Sequence, residues 1–344
     1  FLQVSYATVC IAAILPSLLY FFSLYAQSDF FAAKAGLKGI PREECPPVGK
    51  TFRQGWPYII TCLCLIYFLF FLRQEARAPY FCVAVLLGIM LLFRRKEIGF
   101  SQLERFVETS GRVLCEILTI MVGVGMIIGA LLLTGVAQSF SSSILQMAGG
   151  NLFVLLLMGA LASFIMGIGM TMIPCYIILA LLLAPALVEM GIEPIAAHLF
   201  ILYWGMISFI TPPVAIASIV AAGLAGTDNM KTGLYSLRLG FVAYIVPFFF
   251  IYNPVLVGVG SAAAIVYTAV MSLAGIVLIS AGTEGFLFRV GRLGWTARIA
   301  VILLGLLFFF PSRVVNLWGG LALILFVASS LLKQRTAAKM QSPG

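Results

Sequence analysis

The chain has 344 residues, of which 62% are hydrophobic and only 10% charged, and its formal net charge is +9. So few polar residues cannot coat a water-facing surface, which excludes a soluble globular domain and makes this an integral membrane protein with lipid against most of its apolar area. Nor does the positive charge signal a nucleic-acid partner, because the basic residues sit in short loops between apolar runs with no interleaved aromatic stripe.

Taken in chain order, the apolar runs that approach the roughly 20 residues needed to cross hydrocarbon are Ser5–Ala26, Pro57–Leu72, Pro79–Phe93 and Val113–Val136. After the segment discussed next come Ala196–Leu224, Leu239–Val257, Ala262–Gly282, Ile299–Phe310 and Val314–Leu332. The chain opens on Phe1 and enters an apolar segment with no signal peptide, the pattern expected of a fragment that lacks its N-terminal part. Seven cysteines (Cys10, Cys45, Cys62, Cys64, Cys82, Cys115 and Cys175) form no CxxC pair and read as small hydrophobes rather than disulfides or metal ligands.

The stretch Leu152–Val188 is too long for one span and too short for two. As a continuous helix it would reach about 55 Å, nearly twice the hydrocarbon thickness. Two half-helices, Leu152–Met166 and Pro174–Val188, fit better, each roughly 22 Å long. Between them "GIGMTMI" forms the tip of a re-entrant hairpin.

Charge parity supports the hairpin. If the segment dips in and returns, the loops at 28–56, 94–112, 226–238 and 284–298 and the tail after Leu332 share one side. That side carries eighteen of the twenty-one Lys and Arg residues, among them Lys34, Lys38, Arg42, Arg94, Arg95, Lys96, Arg289, Arg292 and Lys333. By the positive-inside rule it is the cytoplasm, with only Arg73, Arg77 and Arg313 opposite. Two short complete spans would give the same parity.

A second interruption, "SFITPPVAIAS", puts Thr211, Pro212 and Pro213 near the middle of the next span. Two adjacent prolines remove backbone donors and clash with the preceding turn, so the helix there is expected to unwind. Unwound backbone survives at membrane depth only against protein or a watery cavity, and in secondary transporters such broken helices build the substrate and ion sites. A plain proline kink is the alternative; the neighbouring hairpin favours the transporter reading.

The succession "LLTGVAQSFSSSILQMAGGN", "GIGMT", "LAPALVEMGIEPIAAHLF", "ITPPVA" and "GLAGTDNMKTGLYSLRLGFVAYIVPFFFIYNP" resembles the second half of the large membrane subunit of tripartite ATP-independent periplasmic (TRAP) transporters. Nearest in pattern are the fused permeases that serve TAXI-type solute-binding proteins. The resemblance implies an all-α, multi-span fold of the elevator type, in which each of two inverted repeats lends a hairpin and a broken helix to a moving transport domain. Only the second repeat's pair appears, so the first repeat and a fused small membrane subunit are expected upstream.

The organisation implied is the end of the first repeat with a cytoplasmic connector over 1–56, and linking spans with a cytoplasmic loop over 57–112. The second repeat follows over 113–258, with its hairpin at 152–188 and unwound helix at 196–224, then extra spans and a cytoplasmic tail over 259–344. The implied activity is ion-driven import of a small organic anion, such as a carboxylate or an amino acid, across the bacterial inner membrane. It requires a periplasmic TAXI-type binding protein and no cofactor.

Carried over by position, Gly167, Gly169, Met170 and Thr171 form the hairpin side of the substrate and ion path, and Thr211, Pro212 and Pro213 the broken-helix side. A Na⁺ site would draw on Gly167, Gly169, Thr171 and Thr211, since unwound carbonyls and hydroxyls suit Na⁺ without a carboxylate. Where relatives read "GMGMPTTAAY", this chain has Met172, Ile173 and Pro174 after Thr171, which removes the paired threonines. Na⁺ held mainly by backbone and proton coupling both stay open.

Other residues carry less. His198, the sole histidine, is read as structural or near-surface rather than as a proton relay, and Glu116 as the interfacial partner of Arg112. Glu189 borders the hairpin exit, and Gly125 with Gly129 forms a GxxxG expected to serve close helix packing. Enzymatic chemistry would need paired acids, a nucleophile with its base, or metal ligands, and the spans hold no such set. A stand-alone ion-coupled carrier without a binding protein is the stronger rival.

Overall fold

The computed structural model describes residues 2–41, 43–93 and 99–341. Arg42, Arg94, Arg95 and Lys96, used in the charge parity, lie outside the described residues. Helices dominate: α1 (Tyr6–Ala35), α2 (Val48–Ile66) prolonged by a π-helical turn Tyr67–Phe71, α3 (Ala78–Phe93) and α4 (Phe100–Thr134). Next come α5 (Val136–Ala148), α6 (Leu152–Gly169), α7 (Met172–Leu182), α8 (Ala184–Glu189) and α9 (Pro194–Ile207). The chain continues through α10 (Ile216–Ala225), α11 (Asn229–Leu239), α12 (Phe241–Tyr252) and α13 (Ala262–Glu284) to α14 (Trp295–Leu307) and α15 (Arg313–Gln341). Six helical stretches among the described residues are long and apolar enough to cross a membrane. The protein is a multi-span helical membrane protein, as expected. Among the described residues, the one departure from all-α structure is a two-stranded antiparallel turn between α13 and α14, pairing β1 (Phe286–Leu287) with β2 (Gly291–Arg292).

Two compact units emerge. One holds residues 3–10 and 38–133. In it α2 and α3 run antiparallel, because Phe68 stacks on Phe81 near the turn (4.5 Å between centroids) while Trp56 meets Phe93 edge-on at the far end (5.3 Å). Helix α4 begins well before the expected Val113: Gln102, Leu103, Glu104 and Arg105 are good helix formers, so the helix continues where the apolar run does not. Arg112 pairs with Glu108 at 3.0 Å, one turn back, rather than with Glu116 as the sequence suggested. A Cβ on Gly125 or Gly129 would meet no atom within 4 Å outside its own helix backbone, so among the described residues no neighbour packs against the GxxxG.

The other unit takes Leu2 and residues 11–37 and 134–341. Its core joins α1, α6 to α9, α12 and α13 through Leu19, Leu155, Leu183, Phe200, Phe250 and Ile276. Between helices in lipid there is little hydrophobic drive, so close approach matters more. At the crossing of α13 and α14 the backbones of Gly275 and Gly305 face each other: a Cβ added to Gly275 would lie 2.6 Å from the Gly305 carbonyl oxygen, and one added to Gly305 would lie 2.7 Å from that of Gly275.

The last carbonyls of α13 have no helical donors, and cationic side chains take their place. Lys34 Nζ donates to the Glu284 carbonyl at 2.7 Å, and Arg298 donates to the carbonyls of Gly282 and Thr283. The buried Glu284 carboxylate lies 3.2 Å from Arg238. Several of the loop cations that set the charge parity therefore also bind α1, α11, α13 and α14 together at that end.

Candidate functional site

The segment 152–189 folds as a helical hairpin. Gly159 on α6 faces Leu183, with 3.1 Å from an added Cβ to Leu183 Cδ2, and both lie twelve residues from Thr171. The turn is tighter than the seven residues expected. Helix α6 continues to Gly169, only Met170 (φ −138°, ψ 157°) and Thr171 (φ −71°, ψ 165°) are extended, and α7 resumes at Met172. Pro174 sits in the first turn of α7, where a backbone N–H would lack a helical acceptor anyway.

The expected break in the following helix is present. Helix α9 tightens into a 3₁₀ turn at Ser208–Ile210, and Thr211 is extended (φ −112°, ψ 125°). Helix α10 restarts at Ile216 after Ala215, a buried non-glycine residue held left-handed at φ 37°, ψ 44°. A non-glycine residue there is strained and persists only where its surroundings determine it. The Pro212–Pro213 peptide is cis. Because neither proline has an N–H, Ser208 and Phe209 lose the donors that a continuous helix would offer their carbonyls. The Thr211 amide takes the Ser208 carbonyl at 3.3 Å, which leaves Phe209 without that replacement.

Hairpin and break meet at Gly167. Ser208 Oγ donates to the Gly167 carbonyl at 2.9 Å and approaches the Gly205 carbonyl at 3.1 Å. A Cβ on Gly167 would collide with the Gly205 carbonyl oxygen and lie 2.9 Å from Ser208 Oγ. The returning arm closes from the other side, with Cys175 Sγ 3.0 Å from an added Gly205 Cβ. Thr211 Oγ1 donates to the Ile207 carbonyl at 2.7 Å and also bonds Tyr244 OH on α12. Pro212 Cγ sits 2.8 Å from where a Cβ on Gly233 of α11 would be. Of the residues expected to line the path, Gly169 faces open space, Thr171 is exposed and gives α7 no capping hydrogen bond, and Met170 packs half-buried on the core.

A family model described as "Tripartite ATP-independent periplasmic transporter, DctM component" matches residues 1–265. The chain belongs to this family. It is thus a TRAP transporter permease component, and the hairpin and the proline-broken helix both fall within the matched residues. Searches of curated proteins and of solved structures return no match.

In this DctM component, the groups that the sequence reading missed are Gly205 and Ser208, which join the two interruptions, and Tyr244, which braces the break through Thr211. Gly205 in the last turn of α9 and Ser208 at its C-cap stand three apart, both buried among bulky apolar neighbours, and that small-residue pair was the available signal. His198 is buried rather than near-surface, its Nδ1 bonded to Tyr176 OH at 2.9 Å, so it ties α9 to the hairpin's returning arm. An apolar cavity of about 550 Å³ flanks the break, between α1 (Ser17, Tyr20) and the Tyr203 to Ile210 stretch.

Proposed function

We propose that this chain is the permease of a binding-protein-dependent secondary transporter in the bacterial inner membrane. It imports a small organic anion that a periplasmic TAXI-type binding protein delivers, with a small membrane subunit completing the tripartite assembly. The observation that carries the reading is the Ser208–Gly167 hydrogen bond, which fastens the hairpin tip to the broken helix and gives the family's transport elements one shared centre. Around that centre Gly167, Gly169, Met170 and Thr171 form one wall of the path and Thr211, Pro212 and Pro213 the other. Na⁺ is the coupling ion, held by backbone carbonyls with Thr211, and by Thr171 when the tip closes. The 550 Å³ cavity beside the break gives a small organic acid room to approach it.

In proteoliposomes that contain the assembled transporter, uptake of a radiolabelled organic acid should require both the cognate binding protein and an inward Na⁺ gradient. Uptake at full rate without the binding protein would establish the stand-alone carrier instead. Proton-driven uptake indifferent to Na⁺ would replace the ion assignment.

The topology has its own test. With single cysteines in a cysteine-free background, positions 151 and 193 should label from the periplasm and position 231 from the cytoplasm. Labelling of 151 and 193 from opposite sides would mean that the hairpin crosses the membrane.

A further inference from the structure

Beside the first turns of α13 and α15 lies a small cavity of about 120 Å³, most of it lined by residues beyond position 265, where the family match ends. Asn253 and Asn316, 2% and 5% exposed, both line it. Their amide nitrogens are occupied: Asn253 Nδ2 donates to the Phe309 carbonyl and Asn316 Nδ2 to Tyr267 OH, each at 3.2 Å. Their amide oxygens are buried and have no hydrogen-bond partner among the described residues. Asn253 cannot relieve this by turning over, since that would set its oxygen against the Phe309 carbonyl. Fixed in that orientation, the Asn253 oxygen is an unpartnered acceptor in a low-dielectric site and calls for a ligand with N–H donors, which the Asn316 oxygen shares unless its amide turns over to accept from the Tyr267 hydroxyl.

Arg313 lines the same cavity, exposed, with its guanidinium 5.6 Å from the Tyr267 ring centroid. With no ion-pair partner among the described residues, its guanidinium fork suits a phosphate. From that point the exposed Val314, Leu317, Trp318 and Leu321 run along α15 as an apolar face one helical turn apart, and its tryptophan is of the type enriched at headgroup level. A simple anion would leave the Asn253 oxygen unpaired, and a metal ion would sit against the guanidinium. A molecule that carries a primary ammonium and a phosphate satisfies every group. The volume holds about four water-sized groups, enough for the three heavy atoms of an aminoethyl group and one water.

We propose that this cavity binds the headgroup of an ethanolamine phospholipid, its ammonium on Asn253 and Asn316, its phosphate on Arg313 and its chains along α15. Native mass spectrometry of the full chain, titrated with defined lipids, tests this. Phosphatidylethanolamine should be retained about tenfold more tightly than phosphatidylcholine, whose trimethylated nitrogen offers no N–H. Arg313→Gln should abolish most of that retention, and Asn316→Asp, which adds a charge facing the ammonium, should increase it. Equal retention of the two lipids, or no response to either substitution, would overturn the proposal. So would soluble glycerophosphoethanolamine binding as tightly as the lipid, because the chains would then contribute nothing.

Discussion

Gly167→Ala is expected to reduce uptake at least about tenfold, corresponding to 1.4 kcal/mol or more, while Gly169→Ala, two residues along the same tip, leaves it within about twofold. The difference comes from surroundings alone. An added carbon at Gly167 collides with the Gly205 carbonyl and crowds Ser208 Oγ, and the Gly205 backbone cannot swing aside as a side chain could. Helix α6 must then move away from α9, breaking the 2.9 Å bond from Ser208 to the Gly167 carbonyl; overpacking of this kind costs about 1–3 kcal/mol. At Gly169 the same carbon enters open space. Ser208→Ala removes the hydrogen bond without the clash and should fall between, at about 1 kcal/mol of stability. Initial uptake rates normalised to membrane-inserted protein, with thermal unfolding in detergent, measure all three. If the glycines served only to keep the tip pliable, Gly169→Ala would be as harmful as Gly167→Ala, and that result would reject the close-approach account.

The hairpin was legible because its length and the charge parity constrain it independently, and the break because Pro212 and Pro213 cannot continue a helix. Other features lay beyond those signals. Apolar runs mark only what lipid touches, so the polar first turns of α4 and the serine-rich α5 went unread. The tip shrank from seven residues to two because Gly167 to Gly169 stay helical against α9, a tertiary effect invisible in residue type. Partners across helices were hidden for the same reason: nothing in the sequence sets Tyr176 against His198, or Tyr244 against Thr211.

That last contact changes what Thr211→Val tests. In this conformation the Thr211 hydroxyl spends its proton on the Ile207 carbonyl and meets Tyr244, so it already steadies the unwound turn. A second lone pair stays available for a cation, and Met172 and Ile173 bring no side-chain oxygen to the tip. With Na⁺ as the proposed coupling ion, Thr211→Val, which keeps the shape and removes the oxygen, is expected to raise the Na⁺ concentration for half-maximal uptake about tenfold, a loss near 1.4 kcal/mol. Thr211→Ser should restore it. Tyr244→Phe separates the roles: it takes away only the bracing hydrogen bond, so it should lower thermal stability by about 1 kcal/mol while leaving the Na⁺ dependence in place. Should Tyr244→Phe shift the Na⁺ dependence as far as Thr211→Val does, the hydroxyl acts by holding the turn. The cation would then be bound by backbone carbonyls alone, with Phe209, deprived of its donor by Pro213, the first to examine.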